Sequence, residues 1–149
     1  MATTCTVPLC NQLKALREDP EAFAAEFNAW KAQGSKGEYE SFLFGKDSAY
    51  VRPEVDGEQY QLRHVHLVPI KDLQKLTIWE KLWKRRTRKT SDRVLVYTSN
   101  TRGDHLLIFI LDEPTAHDIA KMKSTEDKQL MERLAAVAAA FLYDGSVIA

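Results

Sequence analysis

The run His105–Leu111, HLLIFIL, constrains the fold more than any other stretch of the chain. A half-buried strand alternates apolar and polar residues, because successive side chains leave opposite faces of the sheet. This run is apolar on both faces instead, so it reads as a strand central in a sheet and covered on both sides. Arg93–Thr98, RVLVYT, is a second strand, joined to it by a hairpin turn over Ser99–Asp104 with Gly103 available for a positive φ. Residues 60–69 form a third, ended by Pro69, and Asp112-Glu113-Pro114 ends the central strand.

Helices are expected on either side of this sheet in the chain. Leu9, Leu13 and Leu16 recur at helical spacing within 8–17. Asp19 then caps a helix with Pro20 and Glu21 in its first turn and Phe23, Phe27 and Trp30 as its apolar stripe, and Gly34 ends it. A short helix over Tyr39–Phe44 stops at Gly45, and 45–60 reads as a polar loop with a turn at Asp56-Gly57. Residues 71–85 are helical, with Leu73, Leu76, Trp79, Leu82 and Trp83 on one side. Residues 84–93, KRRTRKTSDR, form a solvated loop, and 115–123 a short helical turn. Ser124–Tyr143 is a long Ala-rich helix with Ser124 and Asp127 in capping-box positions. Helices, then an antiparallel sheet of about three to four strands, then a helix make an α+β fold, and 149 residues suit a single domain.

Several classes of function are excluded cheaply. No apolar run approaches the roughly 18 residues of a membrane-spanning helix, and MATTCTVPLC has no basic and no long apolar region of a secretory signal. Cys5 and Cys10 are the only cysteines, which fits free thiols in a reducing cytoplasm and leaves no second pair for a zinc site. No Walker or dinucleotide loop, no G-x-S-x-G and no H-E-x-x-H occurs. The zero net charge hides a pattern: residues 61–93 carry 10 Lys/Arg against 3 Asp/Glu, whereas 1–60 carry 6 against 10 and 94–149 carry 5 against 8. A polyanionic partner would therefore meet one face of the protein.

Lys81, Lys84, Arg85, Arg86, Arg88, Lys89 and Arg93 concentrate that charge, just after Trp79 and Trp83. Such a cluster neutralises phosphates, or it is a solvated loop or a surface for an acidic protein. The tryptophans, at helical spacing with Leu76 and Leu82, read as core before they read as base-stacking platforms. In LRHVHLVPI (62–70), His64 and His66 share one face of their strand. They could form a metal pair with Asp47, His105 or His117 as third ligand, or bond carbonyls at the sheet edge, or work as an acid/base set. The last suits RNA cleavage, where the substrate's own 2′-OH is the nucleophile and the protein supplies a base, an acid and cations for the phosphorane, with no metal or cofactor. His64, His66 and His117 with Lys46, Arg63 and Arg93 would suffice, and Tyr50 and Tyr97 could stack on a base or donate a hydrogen bond.

In order along the chain, FGKDSAY (44–50), RHVHLVP (63–69), DRVLVY (92–97) and HLLIFILDEPTAHDIA (105–120) resemble the motifs of the YafO family of bacterial toxins, and EFNAWKAQG (26–34) resembles the helix before them. The resemblance covers about residues 22–142 and leaves 1–20 as an N-terminal extension. It implies a toxin of a type II toxin–antitoxin pair, an mRNA interferase that cuts mRNA on the ribosome, restrained by a cognate antitoxin, on a fold related to the RelE-like toxins. By position it singles out Lys46, Asp47 and Tyr50, the pair His64 and His66, and His117. Lys84, Arg85, Arg86, Arg88, Lys89, Arg93 and Tyr97 are then expected to grip RNA. A non-catalytic binding module of the same fold, and a metal-dependent hydrolase on His64, His66 and Asp47, are the competing expectations.

Overall fold

The computed structural model describes residues 2–59 and 61–149. Its centre is a five-stranded sheet ordered β1-β5-β4-β3-β2, from β1 (Thr3–Cys5), β2 (Phe44–Ala49), β3 (Arg63–Leu67), β4 (Val94–Ser99) and β5 (His105–Leu111). The apolar run β5 is paired on both sides, as its two apolar faces require. β1 runs parallel to it and all other pairs are antiparallel, so the sheet is mixed and larger than the three to four antiparallel strands expected. The two strands that the sequence hides lie at the edges. β1 has three residues, and β2 (FGKDSA) carries Gly, Lys and Asp and shifts register between Phe44 and Asp47. Neither leaves a period-two signal. Residue 60, where the third strand was expected to begin, lies outside the described residues.

Helices cover both faces. α1 (Val7–Ala15) and α2 (Pro20–Ala32) bury Leu9, Leu13, Phe27 and Trp30 against Val65, Leu95, Tyr97 and Leu107. The Asp19 carboxylate caps α2 by accepting from the Glu21 N–H, as its sequence suggests. The so-called extension is thus integral: Leu9 and Leu13 are fully buried, and β1 hydrogen-bonds β5. On the opposite face α6 (Thr125–Asp144) packs Met131, Leu134, Ala135 and Ala138 on Val94, Val96, Leu106 and Ile108 of β4 and β5. The Ser124 hydroxyl accepts from Asp127 N–H at one end of α6, and Gly145 at φ 79° closes the other. α5 (Ala116–Ala120) follows the cis Glu113-Pro114 turn beside it.

The remaining helices, α3 (Gly37–Glu40) and α4 (Leu73–Lys84), pack near the start of β2. Trp79 and Trp83 donate their indole N–H groups to the Phe42 and Glu40 carbonyls, so both anchor α4 and neither is a free stacking platform. Only Trp79 of α4 is fully buried, and Leu73 is 75% exposed, outside the single apolar stripe expected. Gly45 is required where β2 meets the loop after α4. A Cβ there would collide with the Lys89 carbonyl, which accepts the Lys46 N–H at 2.8 Å. Among the described residues no helix is long and apolar enough to cross a membrane.

Candidate functional site: a histidine row beside a cleft

The sheet separates the expected site residues onto two faces. Residues paired across strands share a face, and Ser48 pairs with His64 while Asp47 pairs with Val65. His64, His66, Ser48 and Tyr50 therefore face the α6 side, beyond the strands that α6 covers. Arg63, Asp47 and Tyr97 face α2.

On the α6 side three imidazoles form a row. The ring centroids of His64 and His66 are 5.8 Å apart, and those of His66 and His117 are 5.7 Å apart. Tyr50 stacks on His64 at 3.9 Å with 12° between the planes, and its phenol pKa is pushed up by burial. His64 Nε2 lies 3.4 Å from the Ser48 hydroxyl, while its Nδ1 is buried with no partner. Burial first, then the neighbouring His66, lowers its pKa to about 4, so the ring is neutral near pH 7.

His66 is 4% exposed, and burial lowers its pKa too. The Ser91 main chain meets its Nδ1 with an N–H at 2.9 Å and a carbonyl at 2.7 Å, so one of the two bonds forms in either tautomer. Its Nε2 has no hydrogen-bond partner among the described residues. His117, exposed at the start of α5, donates Nδ1–H to the Asp92 carboxylate at 2.7 Å, and the same oxygen accepts the His117 backbone N–H at 2.8 Å. A carboxylate is only an acceptor, so a proton sits on Nδ1, and Nε2 has no hydrogen-bond partner among the described residues. His66, His117 and Lys46 line one cleft of about 600 Å³, whose other wall is α4.

The α2 face holds an ion-pair cluster. Lys31 and Arg63 reach the Asp47 carboxylate at 3.1 and 3.3 Å, and the buried Tyr97 hydroxyl donates to Asp47 and accepts from Arg63 Nε. Four expectations change as a result. Asp47 and Arg63 are not assembled with the histidines, so the ligand set His64, His66 and Asp47 does not form. Among the described residues no three His, Cys, Asp or Glu side chains are placed to hold a metal. Tyr97 is fully buried and cannot stack on a base. Arg93 is 4% exposed, donates to the Val68 carbonyl and lies near Asp112, so it is a structural cation.

The basic segment is also divided. Lys89 is fully buried, donates to the Glu38 carbonyl at 2.9 Å and sits over the Trp79 ring, and burial lowers its pKa to about 8. It does not reach a ligand surface. Arg88 pairs with Glu38 at 2.9 Å and Arg86 weakly with Glu40 at 3.8 Å. Lys84 and Arg85 are exposed and make no ion pair among the described residues. Sequence reasoning missed Ser91, Asp92 and Lys75. Asp92 and His117 are 25 residues apart, and no local spacing joins them.

The row of histidines, the cleft and the motif order can be set against known proteins. No characterised protein and no solved structure matches the chain, so the expected kinship with RelE-like folds gains no support from a structural neighbour. The sequence does match the family described as Toxin YafO, type II toxin-antitoxin system, over residues 28–143. That span is most of the chain and contains every histidine of the row, so the chain belongs to the YafO toxin family of type II toxin–antitoxin systems, which pair a toxin with a cognate antitoxin.

Proposed function

We propose that this toxin is a ribosome-dependent mRNA endoribonuclease working in the cytoplasm by acid/base chemistry, with the antitoxin as its inhibitor. The observation that carries the reading is the His66–His117 pair, 5.7 Å apart on one cleft with Lys46 beside it. One phosphate can contact both rings at that separation. Burial keeps His66 neutral, which suits it to be the base that takes the 2′-OH proton on Nε2. The 2′-oxygen attacks the adjacent phosphorus, and the bond to the 5′-oxygen breaks. His117 gives a proton from Nε2 to that leaving oxygen. The products are a 2′,3′-cyclic phosphate and a 5′-hydroxyl, so protons and bonds balance. Lys46 stabilises the phosphorane charge, in place of Arg63 and Arg93. His64, neutral and clamped by Tyr50, packs against His66 and positions it. Lys84 and Arg85 contact ribosomal RNA, with Arg86 and Arg88 able to leave weak surface pairs for phosphates.

The test is induction in cells with 5′-end mapping of one long mRNA, with and without its start codon. Cuts confined to the translated message are expected, and His66→Asn or His117→Asn is expected to lower cutting by about 100-fold or more at normal expression. Growth arrest by the wild type with intact message would overturn the nuclease reading in favour of translation block by binding alone.

A further inference from the structure

The cleft beside the histidines has a wall that the chemistry above does not use. α4 turns Lys75, Ile78 and Leu82 toward it, at i, i+3 and i+7, while Trp79 on its next face is buried in the body. Ile78 is 51% exposed and shares this wall with Leu82, so the two make one apolar surface open to a ligand. Pro69 and Pro114 add apolar surface.

The cleft carries two ammonium groups, Lys46 and Lys75, and three carboxylates, each of which uses one oxygen to accept N–H groups of the protein itself. Glu113 accepts the Ile70 and Lys71 N–H groups at 2.8 and 2.9 Å. Asp72 caps α4 by accepting from Gln74 and Lys75 N–H, and Asp92 holds His117. Lys46 and Lys75 have no ion-pair partner among the described residues. The Thr90 hydroxyl on the same cleft has no hydrogen bond among them and can both donate and accept. An apolar wall, two ammonium groups without ion-pair partners and one free hydroxyl suit a ligand with a flat apolar face, polar edges and a phosphate held by those ammonium groups. About 600 Å³ lies within the span of small-ligand sites, roughly 300–1,000 Å³.

We propose that this cleft seats one nucleobase of the substrate next to the scissile phosphate, held against Ile78 and Leu82, with Lys75 on the flanking phosphate and Thr90 on the base edge. The inference rests on the nuclease reading and deepens it: these residues, rather than the histidines, set which nucleotide lies at the cut.

The experiment uses the full chain with methyl-labelled Ile and Leu, titrated with the four nucleoside 3′-monophosphates and, separately, with inorganic phosphate. Saturable shifts of the Ile78 and Leu82 methyls are expected, differing among the four bases and absent with phosphate alone. Ile78→Asp is expected to weaken binding at least tenfold without lowering the Tm, because the side chain is half exposed. In 5′-end mapping, Ile78→Ala and Leu82→Ala are expected to redistribute cuts among nucleotides, while His66→Asn lowers cutting without redistributing the cuts that remain. Identical shifts with phosphate alone would mean an anion contact without a base slot and would overturn the proposal. It is overturned equally if only the cognate antitoxin, and no nucleotide, moves those methyls, or if the wall variants cut with wild-type distribution. If the wild type cuts nothing, the nuclease reading fails, and the titration still decides the slot.

Discussion

One oxygen of Asp92 holds His117 twice, at 2.8 Å through its backbone N–H and at 2.7 Å through Nδ1–H. The first bond fixes where α5 starts and the second fixes the tautomer, so both the place and the proton of this imidazole depend on a single carboxylate. Asp92→Ala is expected to leave a folded protein whose His117 populates both neutral tautomers, seen in the ring nitrogen shifts. Cutting should fall about tenfold or more. A variant with the wild-type tautomer and wild-type cutting would remove Asp92 from the machinery.

Lys89 and Arg85 lie four residues apart and should behave as opposites. Lys89→Ala leaves the Glu38 carbonyl without its donor and opens a hole beside Trp79, which costs about 2–4 kcal/mol in urea unfolding. Arg85→Ala touches nothing in the body and should leave stability within about 0.5 kcal/mol. It should instead reduce the slope of log K against log salt for RNA binding by about 0.7–0.9, the loss of one phosphate contact. Salt slopes that change for Lys89→Ala and not for Arg85→Ala would reverse the assignment.

Leu13 precedes the family match, which begins at residue 28. It is nevertheless fully buried in the cluster with Phe27, Leu95 and Leu107. Leu13→Ala should cost about 2–5 kcal/mol, and the loss should appear as a lower urea midpoint with little change in slope. An effect under about 1 kcal/mol would mean that α1 is an appendage after all.

What the sequence disclosed follows from the range of its signals. The apolar run of β5, the Asp19 and Ser124 caps and the shared face of His64 and His66 are local patterns, and each appears in the structure where the pattern puts it. Lys46 and Asp47 leave opposite faces by ordinary alternation once β2 is a strand, but β2, with its register shift between Phe44 and Asp47, carries no periodicity that marks it as one. Lys89 and Arg93 look like the exposed cations around them because burial is a tertiary property. Asp92 reaches His117 only because the loop after α4 and the turn after β5 meet at one end of the sheet. The histidine row was therefore legible as a strand pair plus one candidate, and its support was not.

His64 gives the row a pH signature in stability. Stacked under Tyr50 with Nδ1 buried and unpartnered, it titrates near pH 4 in the fold, against about 6.5 unfolded. A base whose folded pKa is depressed takes its proton first in the unfolded chain. Its stabilisation is therefore complete above about pH 6.5, falls as pH drops toward about 4, and levels off below, a loss of about 3 kcal/mol across that window. His66, lowered by the same cause, contributes in the same direction. Replacing His64 with Phe keeps a ring for Tyr50 to stack on and removes the titration. Between pH 7.5 and 4.5 the wild type should lose about 2–3 kcal/mol more unfolding free energy than His64→Phe. Equal losses would mean that the ring is protonated in the folded protein without penalty, and the neutral, positioning role assigned to it would fall.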